Sequence, residues 1–253
     1  MFLKSDNEQK LLENFKVIGI KKDVENKDVL IKINLSGIYI KNHPRTDIAL
    51  IKTLISYIHQ NGGKCAITEG ANGYLTENII ASGLGDTVKN YGVRIIDADL
   101  EDCDEIVSYG EFHYIPRCFR EYPVRIAVPS ASKREGLIYS NNIKLFVGAV
   151  PRKMYQLDDF NTNEGAPRPR LHQNLPLSVA NLFSAIQNHS PFQYYINGGL
   201  AYSESKGEFS LNETFFGNDA LELDCHIFQT FFNDCGYPEY LDIIKTRRLN
   251  GNI

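Results

Sequence analysis

Apolar positions along the first hundred residues alternate between short continuous runs and helix-like spacing. Residues 29–35 (VLIKINL) form a β-branched run that is typical of a buried strand. Apolar residues then recur at intervals of three and four from Ile48 to Ile58. This spacing predicts a helix. Thr46 and Asp47 are predicted to cap its N-terminus, and the glycine pair at 62 and 63 is predicted to end it.

The same alternation continues through two more strands. Residues 64–68 and 93–97 are predicted to be strands, and residues 76–91 between them a helix that Gly83 and Gly85 interrupt. Strands joined by helices through short connections favour a parallel sheet with helices on its faces.

The second half of the chain is less regular. Residues 151–176 are rich in proline, asparagine and charge, and a stretch of this length without apolar periodicity is typical of a functional loop or of disorder. The pattern therefore predicts one α/β domain over residues 1–253, with a mostly parallel twisted sheet, helices on both faces and a long middle loop or lid at 151–176. The remaining predicted elements are strands at 124–129, 143–150 and 192–196, and helices at 177–186 and 219–232.

Charge and composition narrow the possible partners. The 253 residues carry 27 Lys and Arg against 31 Asp and Glu, a net charge of -4, which argues against a generic nucleic-acid binder. No apolar run approaches the length of a membrane span. We expect a cytoplasmic protein whose partner is a small molecule, and the composition is compatible with a homo-oligomer.

The five cysteines have no spacing typical of a metal or cluster site. Cys65, Cys103, Cys118, Cys225 and Cys235 form no CxxC, CxC or CxxxC pair. This spacing argues against an iron–sulfur cluster or a zinc ribbon, and it fits reduced thiols in the cytoplasm. The cofactor stays unknown, and the sequence assigns no residue as a metal ligand.

Candidate chemistry lies where the predicted strands end, because ligands of open α/β sheets bind outside the carboxyl ends of the strands. The first strand delivers Lys32 and Asn34 to one face. Lys32 either lies at an edge with its ammonium in water, or acts as a cation or a base toward a ligand. The second strand ends in TEGANGY, which is either a plain turn or a loop in which Glu69, Gly70 and Asn72 contact a ligand.

Further candidates follow in the chain. The acidic residues between Asp97 and Glu105 either ligate a hard cation or cap a solvated turn. Arg152, Lys153 and His172 belong either to a lid over the cleft or to a surface loop.

The last predicted helix carries polar residues of its own. Asp219 fits an N-terminal cap, and Asp224 is a carboxylate inside an apolar stretch. Glu222 and His226 make a carboxylate–histidine pair of low specificity. The chain has no Ser-His-Asp order, nucleophile elbow, HExxH, Walker A or Rossmann fingerprint. The common hydrolase, protease and NTPase hypotheses therefore lose support.

Several segments together resemble the bacterial and archaeal family known as domain of unknown function 362. The resemblance rests on VLIKINLSG, RTDIALIKTLISYIHQNGGKCAITEGANG, HQNLPLSVANLFSAI, YYINGGLAYSE and GNDALELDCHI, which together span most of residues 28–245. It implies site or scaffold roles for one set of residues, namely Lys32, Asn34, Thr46, Glu69, Gly70, Asn197, Asp219 and Asp224.

The chain departs from that family at several points. Relatives often carry a ferredoxin-like cysteine module, which is missing here, so cluster binding does not carry over. Arg152 and Lys153 stand in for a lysine-rich motif, Asn197 for an aspartate and Ala220 for a proline.

Two main hypotheses of function follow. In the first, an enzyme binds a small anionic metabolite at the strand ends, with Lys32, Arg152 and Lys153 on the anion and Glu69, His172 or Asp224 moving protons. In the second, a non-catalytic accessory module serves a redox or biosynthetic partner through a flat apolar patch. A third, metal-dependent catalysis, would use the carboxylates Glu69, Asp97, Asp219 and Asp224.

Overall fold

The structure is a computed structural model that describes residues 2–35, 45–133, 138–157 and 168–251. Two 3₁₀ helices (Lys144–Gly148 and Arg152–Tyr155) accompany the strands and α-helices. The strands are β1 (Phe2–Ser5), β2 (Asp28–Lys32), β3 (Lys64–Glu69), β4 (Arg94–Asp97), β5 (Cys103–Ser108), β6 (Glu111–Pro116), β7 (Val124–Ala127), β8 (Ser132–Lys133), β9 (Tyr194–Asn197), β10 (Leu200–Ser203), β11 (Gly207–Ser210) and β12 (Thr214–Gly217). The α-helices are α1 (Glu8–Val17), α2 (Ile20–Val24), α3 (Ile48–Gln60), α4 (Leu75–Ala81), α5 (Gly85–Tyr91), α6 (Cys118–Glu121), α7 (Pro169–His172), α8 (Leu175–His189), α9 (Ala220–Phe231) and α10 (Glu239–Leu249).

A seven-stranded sheet in the order β1-β12-β9-β7-β2-β3-β4 organises the fold. The five strands from β9 to β4 are parallel, and β12 and β1 extend the sheet antiparallel at one edge. Two small sheets, β11-β10-β8 and the hairpin β5-β6, flank it. The predicted mostly parallel sheet is confirmed, and its parallel strands bring their carboxyl ends to the same side.

Both faces of the large sheet are buried under helices. Along β2, Val29 and Ile31 belong to one apolar cluster with α1 to α4, whereas Leu30 belongs to another with α8, α9 and α10. This division follows from the two-residue repeat of a strand, which sends successive side chains to opposite faces. Helices on both faces are therefore confirmed.

Of the two residues predicted to cap α3, Asp47 does so and Thr46 does not, because the Thr46 hydroxyl bonds to Asn34 and Val128 instead. The Asp47 carboxylate accepts hydrogen bonds from the backbone N–H groups of Ala49 and Leu50, at 2.8 and 3.2 Å, and α3 follows it. Gly62 then turns the chain with a φ of +75°, a conformation that favours glycine. The break between α4 and α5 lies at Gly83, as the sequence predicts.

One predicted strand is wrong. Residues 143–150 do not pair into the sheet, because the 3₁₀ helix Lys144–Gly148 occupies them. Leu145, Phe146 and Val147 are all buried in this 3₁₀ helix, so the run is as apolar as a buried strand would be. A short continuous apolar run does not distinguish a strand from a buried helical turn.

The middle stretch at 151–176 is partly helical. It contains the 3₁₀ helix Arg152–Tyr155, helix α7 and the start of α8, and only 158–167 lie outside the described residues. Ser36 and Gly37, which follow the first predicted strand, also lie outside them. No helix in the described ranges is long and apolar enough to cross a membrane.

Candidate functional site

A cleft of about 230 Å³ opens at the carboxyl ends of β2 and β3. The two strand ends form its floor, and the 3₁₀ helix Lys144–Gly148 and the segment around α7 form its walls. Six of the residues singled out in the sequence line this cleft together: Lys32, Asn34, Glu69, Gly70, Arg152 and His172.

Lys32 lies on the floor of the cleft and is only 1% exposed. Its Nζ donates a hydrogen bond to the carbonyl oxygen of Ile33 at 2.7 Å. Burial lowers the pKa of Lys32 to about 8, against the opposing charge of Glu69. The interpretation of Lys32 as a solvated edge lysine is wrong, because the side chain is enclosed.

Glu69 is the carboxylate of the cleft. Both of its Oε atoms accept from the backbone N–H of Leu35 at 2.8 Å. The side chain is 2% exposed, and it ties the end of β3 to the segment that follows β2. A buried cation and a buried anion thus share this floor, an arrangement suited to holding or moving a proton.

The turn after β3 uses its own backbone amides internally. Asp97 accepts from the N–H groups of Ala71 and Gly73 at 3.1 and 2.6 Å, and Asp99 accepts from the N–H of Asn72 at 2.7 Å. The N–H of Gly70 donates to the carbonyl of Gly148 at 2.8 Å. These four amides are occupied, so the stretch is a braced turn and does not present them to a phosphate.

Asp99 also anchors two arginines beside the cleft. Its Oδ1 lies 3.0 Å from Arg168 Nη2, and its Oδ2 lies 3.1 Å from Arg152 Nε. Arg168 is 4% exposed and donates from Nε to the carbonyl of Val150 at 2.5 Å. Burial lowers the pKa of Arg168 to about 10, which leaves the guanidinium charged at neutral pH.

Cations outnumber anions at the cleft. Among the described residues, four cationic side chains and the carboxylate of Glu69 line it, and Asp99 beside it pairs with two of the four cations. His172 joins them, and desolvation together with the charges of Lys144 and Arg168 lowers the pKa of its imidazole. The four cations are Lys32, Lys144, Arg152 and Arg168.

A second hollow, of about 340 Å³, has the opposite charge. Asp6, Glu8, Asp47 and Glu213 line it, between the N-terminal segment and the start of α3. Negative charge of this density does not suit an anionic metabolite, so the basic cleft is the candidate site.

Three other predicted residues do not line the cleft. Thr46 is buried and structural, because its Oγ1 accepts from the N–H of Asn34 at 2.8 Å and donates to the carbonyl of Val128 at 2.5 Å. Asn72 is exposed on the braced turn with a φ of +54°. Lys153 is exposed on its 3₁₀ helix.

Asp224 and Asn197 belong to a separate buried polar cluster. Asp224 accepts from the backbone N–H groups of Asn142 and Ile143, at 3.0 and 3.1 Å. Asn197 accepts from the Asn142 side chain at 2.7 Å and donates to Asn141. Burial raises the pKa of Asp224 to about 7. The cluster begins the 3₁₀ helix that forms one wall of the cleft.

Asp219 caps α9, as its position in the sequence suggests. It accepts from the backbone N–H of Glu222 at 3.0 Å and pairs with Arg248 at 2.6 Å. The four carboxylates of the metal hypothesis therefore divide between the cleft floor, the braced turn, this cap and the buried cluster. Among the described residues, no three His, Cys, Asp or Glu side chains form a group that could hold a metal ion.

The sequence did not single out two of the cations of the cleft. Lys144 lies in the run that was interpreted as a strand, and its 3₁₀ conformation is what turns it to the cleft. Arg168 was one charge among several in the middle stretch, and its burial against Asp99 leaves no signal in a single sequence. Ser140, also in the lining, has no distinguishing context at all.

Comparisons with known proteins address the fold and the family. The lactate racemase apoprotein of Thermoanaerobacterium thermosaccharolyticum has a similar structure, with a TM-score of 0.51 and 12% sequence identity. The match covers 86% of this chain and 54% of the racemase, so the chain spans about half the length of that protein. No curated protein matches the sequence significantly. The family model described as Domain of unknown function (DUF362) matches residues 29–228, which is most of the chain, and the protein therefore belongs to the DUF362 family.

Proposed function

We propose that the protein is an enzyme that binds a small anionic metabolite in the cleft at the carboxyl ends of β2 and β3. The observation that carries this proposal is the excess of cations in the described lining of the cleft, where Lys32, Lys144, Arg152 and Arg168 outnumber the two carboxylates beside them, Glu69 and Asp99. Charges in a partly desolvated cleft act more strongly on a ligand than charges in open water.

The size of the cleft limits the ligand. Pockets that enclose drug-sized molecules measure roughly 300–1,000 Å³. A volume of about 230 Å³ suits a molecule of a few carbon atoms. Leu145 and Val147 supply apolar wall for its carbon skeleton, and the cations supply contacts for a carboxylate or phosphate group.

Proton transfer is assigned to the groups with chemistry suited to it. Lys32 and Glu69 share the cleft floor, and His172 holds a lowered pKa that favours the neutral imidazole at pH 7. Lys144, Arg152 and Arg168 hold the anion. Folds of this kind also serve lactate racemase, whose name describes action on a small carboxylate, the ligand class that these cations favour.

Titration calorimetry with pyruvate, L-lactate and inorganic phosphate at fixed ionic strength tests the proposal. Lys144→Gln removes one cation from the cleft wall, and Lys52→Gln removes an exposed lysine of α3 as a matched control. Since a hydrogen bond to a charged group contributes about 1.5–3 kcal/mol, we expect Lys144→Gln to weaken the bound probe about tenfold or more. Lys52→Gln should bind as the wild type does.

The accessory-module alternative has its own supporting observation. Val107 and Phe112 face each other across the β5-β6 hairpin, and both are more than half exposed. If none of the three probes binds saturably, or if Lys144→Gln binds them unchanged, the enzyme proposal fails and this hairpin becomes the surface to study.

A further inference from the structure

The amino group of Lys32 has surroundings that differ from those of an ordinary surface lysine. It follows four strand residues, of which Val29, Leu30 and Ile31 are fully buried, and its own side chain is enclosed at the floor of the cleft. Its Nζ has the carbonyl of Ile33 as a hydrogen-bond acceptor, and the charge of Glu69 is the strongest charge acting on it. Glu69 is itself fixed by the N–H of Leu35.

These surroundings increase the share of uncharged amine. With a pKa of about 8, roughly one lysine in ten is uncharged at pH 7, compared with fewer than about one in a thousand at the usual value near 10.4. An uncharged amine is a nucleophile, and lysines desolvated in this way form imines with carbonyl compounds.

The other residues that line the cleft determine which carbonyl compound fits beside this amine. Lys144 and Arg152 favour a carboxylate, Leu145 and Val147 favour a short carbon chain, and the volume admits a few carbon atoms. A carboxylate held by these cations lies in the same cleft as the Lys32 amine. The combination fits a 2-oxo acid, in which the carbonyl is adjacent to the carboxylate.

We propose that Lys32 is a nucleophile that forms an imine with the carbonyl group of a short 2-oxo acid bound in this cleft. The inference deepens the proposed function and rests on it, since the carboxylate of the 2-oxo acid is the anion that the cleft binds.

The reaction balances without an oxidant or a reductant. The Nζ lone pair attacks the carbonyl carbon, a C–N bond forms, and the carbonyl π electrons move to oxygen. The nitrogen passes one proton to the oxygen by way of Glu69, and the oxygen becomes a hydroxyl. That hydroxyl takes a second proton from solvent and leaves as water while the nitrogen lone pair closes the C=N bond. The iminium nitrogen then returns one proton to solvent, so amine and carbonyl become imine and water.

Reductive trapping tests this step on the wild-type chain. The protein is incubated with pyruvate or with 2-oxobutyrate, sodium borohydride reduces any imine to a stable secondary amine, and intact mass and peptide mapping locate the adduct. We expect one adduct per chain, on the peptide that contains Lys32. L-lactate, which carries no carbonyl group, serves as the matched ligand control and should leave no adduct.

Two variants refine the test. Lys32→Arg keeps a cation but removes the primary amine, and it should lose the adduct; Lys52→Gln, at an exposed lysine of α3, should keep it. Because the mapping is done on the wild type, the result does not depend on Lys32→Arg folding.

The outcomes separate the imine from the anion site. Adducts spread over exposed lysines, or an adduct that persists in Lys32→Arg, overturn the imine. Saturable binding of pyruvate without an adduct on Lys32 also overturns it, while leaving the proposed anion site intact. Absence of both binding and adduct overturns the two proposals together.

Discussion

At the scale of single residues, the burial of the Lys32 side chain costs free energy. A buried ammonium loses hydration that one carbonyl acceptor and the charge of Glu69 only partly replace. An apolar residue at position 32 would suit β2 better, because the three residues before it, Val29, Leu30 and Ile31, are buried and apolar. Such local conflicts with the fold are expected where a site needs a particular chemical group.

The lowered pKa of Lys32 predicts how its contribution to stability changes with pH. Between about pH 8 and the unfolded value near 10.4, the unfolded chain binds a proton that the folded chain does not. The free energy of unfolding of the wild type should therefore rise with pH in that window, relative to that of Lys32→Met. Urea unfolding of both chains at pH 7, 8, 9 and 10 measures the difference.

Comparison of two chains cancels the tyrosines and cysteines that titrate in the same window. Lys52→Met, which removes an exposed lysine, should show a difference from wild type that stays constant with pH. A constant difference for Lys32→Met would mean that the amine keeps its ordinary pKa, and a falling one would mean that its pKa is raised. Either result would remove the support for a nucleophile.

At the scale of elements, the site depends on a close approach between the turn after β3 and the 3₁₀ helix Lys144–Gly148. The N–H of Gly70 donates to the carbonyl of Gly148, and the Arg168 side chain lies against Gly70. A Cβ on Gly70 would meet Arg168 Nη2 at 2.4 Å and the Gly148 carbonyl oxygen at 2.6 Å. Glycine at this position thus serves packing, since its φ is not in the left-handed region.

Gly70→Ala should separate these two elements. We expect a loss of about 1–3 kcal/mol in the free energy of unfolding, typical of overpacking, and weaker binding of the anionic probe as Arg168 moves. Gly85→Ala is the matched control, because its Cβ would make ordinary contacts of 3.6 Å with Ile80. Thermal unfolding and titration calorimetry on both variants measure the effects, and equal behaviour of the two would contradict the close approach.

Local patterns predicted most of the elements that carry the floor of the cleft. The βαβαβ order from β2 to β4 was readable because each strand and helix has its own apolar period, and this order put Lys32, Asn34, Glu69 and Gly70 at one edge. The walls of the cleft could not be predicted from such local patterns. The run at 143–150 is almost continuously apolar and buried, so it shows no clear period. The burial of Arg168 depends on Asp99, 69 residues earlier in the chain.

At the scale of the whole molecule, distant parts of the chain meet in the buried cluster beneath the cleft wall. Asp224 on α9, Asn197 at the end of β9 and the Asn141–Asn142 pair are joined by hydrogen bonds that span 55 to 82 residues. The cluster starts the 3₁₀ helix that carries Lys144 and Gly148 to the cleft. Asp224 is therefore a positioning residue in this structure, since it touches the helix start while other residues line the cleft.

Replacing Asp224 by asparagine tests this long-range support. The two carboxylate oxygens accept the N–H groups of Asn142 and Ile143 separately. An asparagine puts an NH2 group, which only donates, in place of one of these oxygens, so one N–H donor faces another donor. Leaving a buried donor unpaired costs about 1–3 kcal/mol, and we expect Asp224→Asn to be destabilised by that amount. We also expect weaker anion binding, because the 3₁₀ helix loses its anchor.

The raised pKa of Asp224 gives the same substitution a pH signature. From about pH 4 to about pH 7, the folded chain holds a proton on this carboxyl that the unfolded chain has released. The stability advantage of the wild type over Asp224→Asn should therefore shrink as pH rises through this window and stay level above about pH 7.5. Urea unfolding of both chains from pH 4.5 to 8 measures it. An advantage that grows with pH would instead place the folded pKa of Asp224 below the unfolded one, and would show that the N–H donors at the 3₁₀ helix outweigh the burial of the carboxylate.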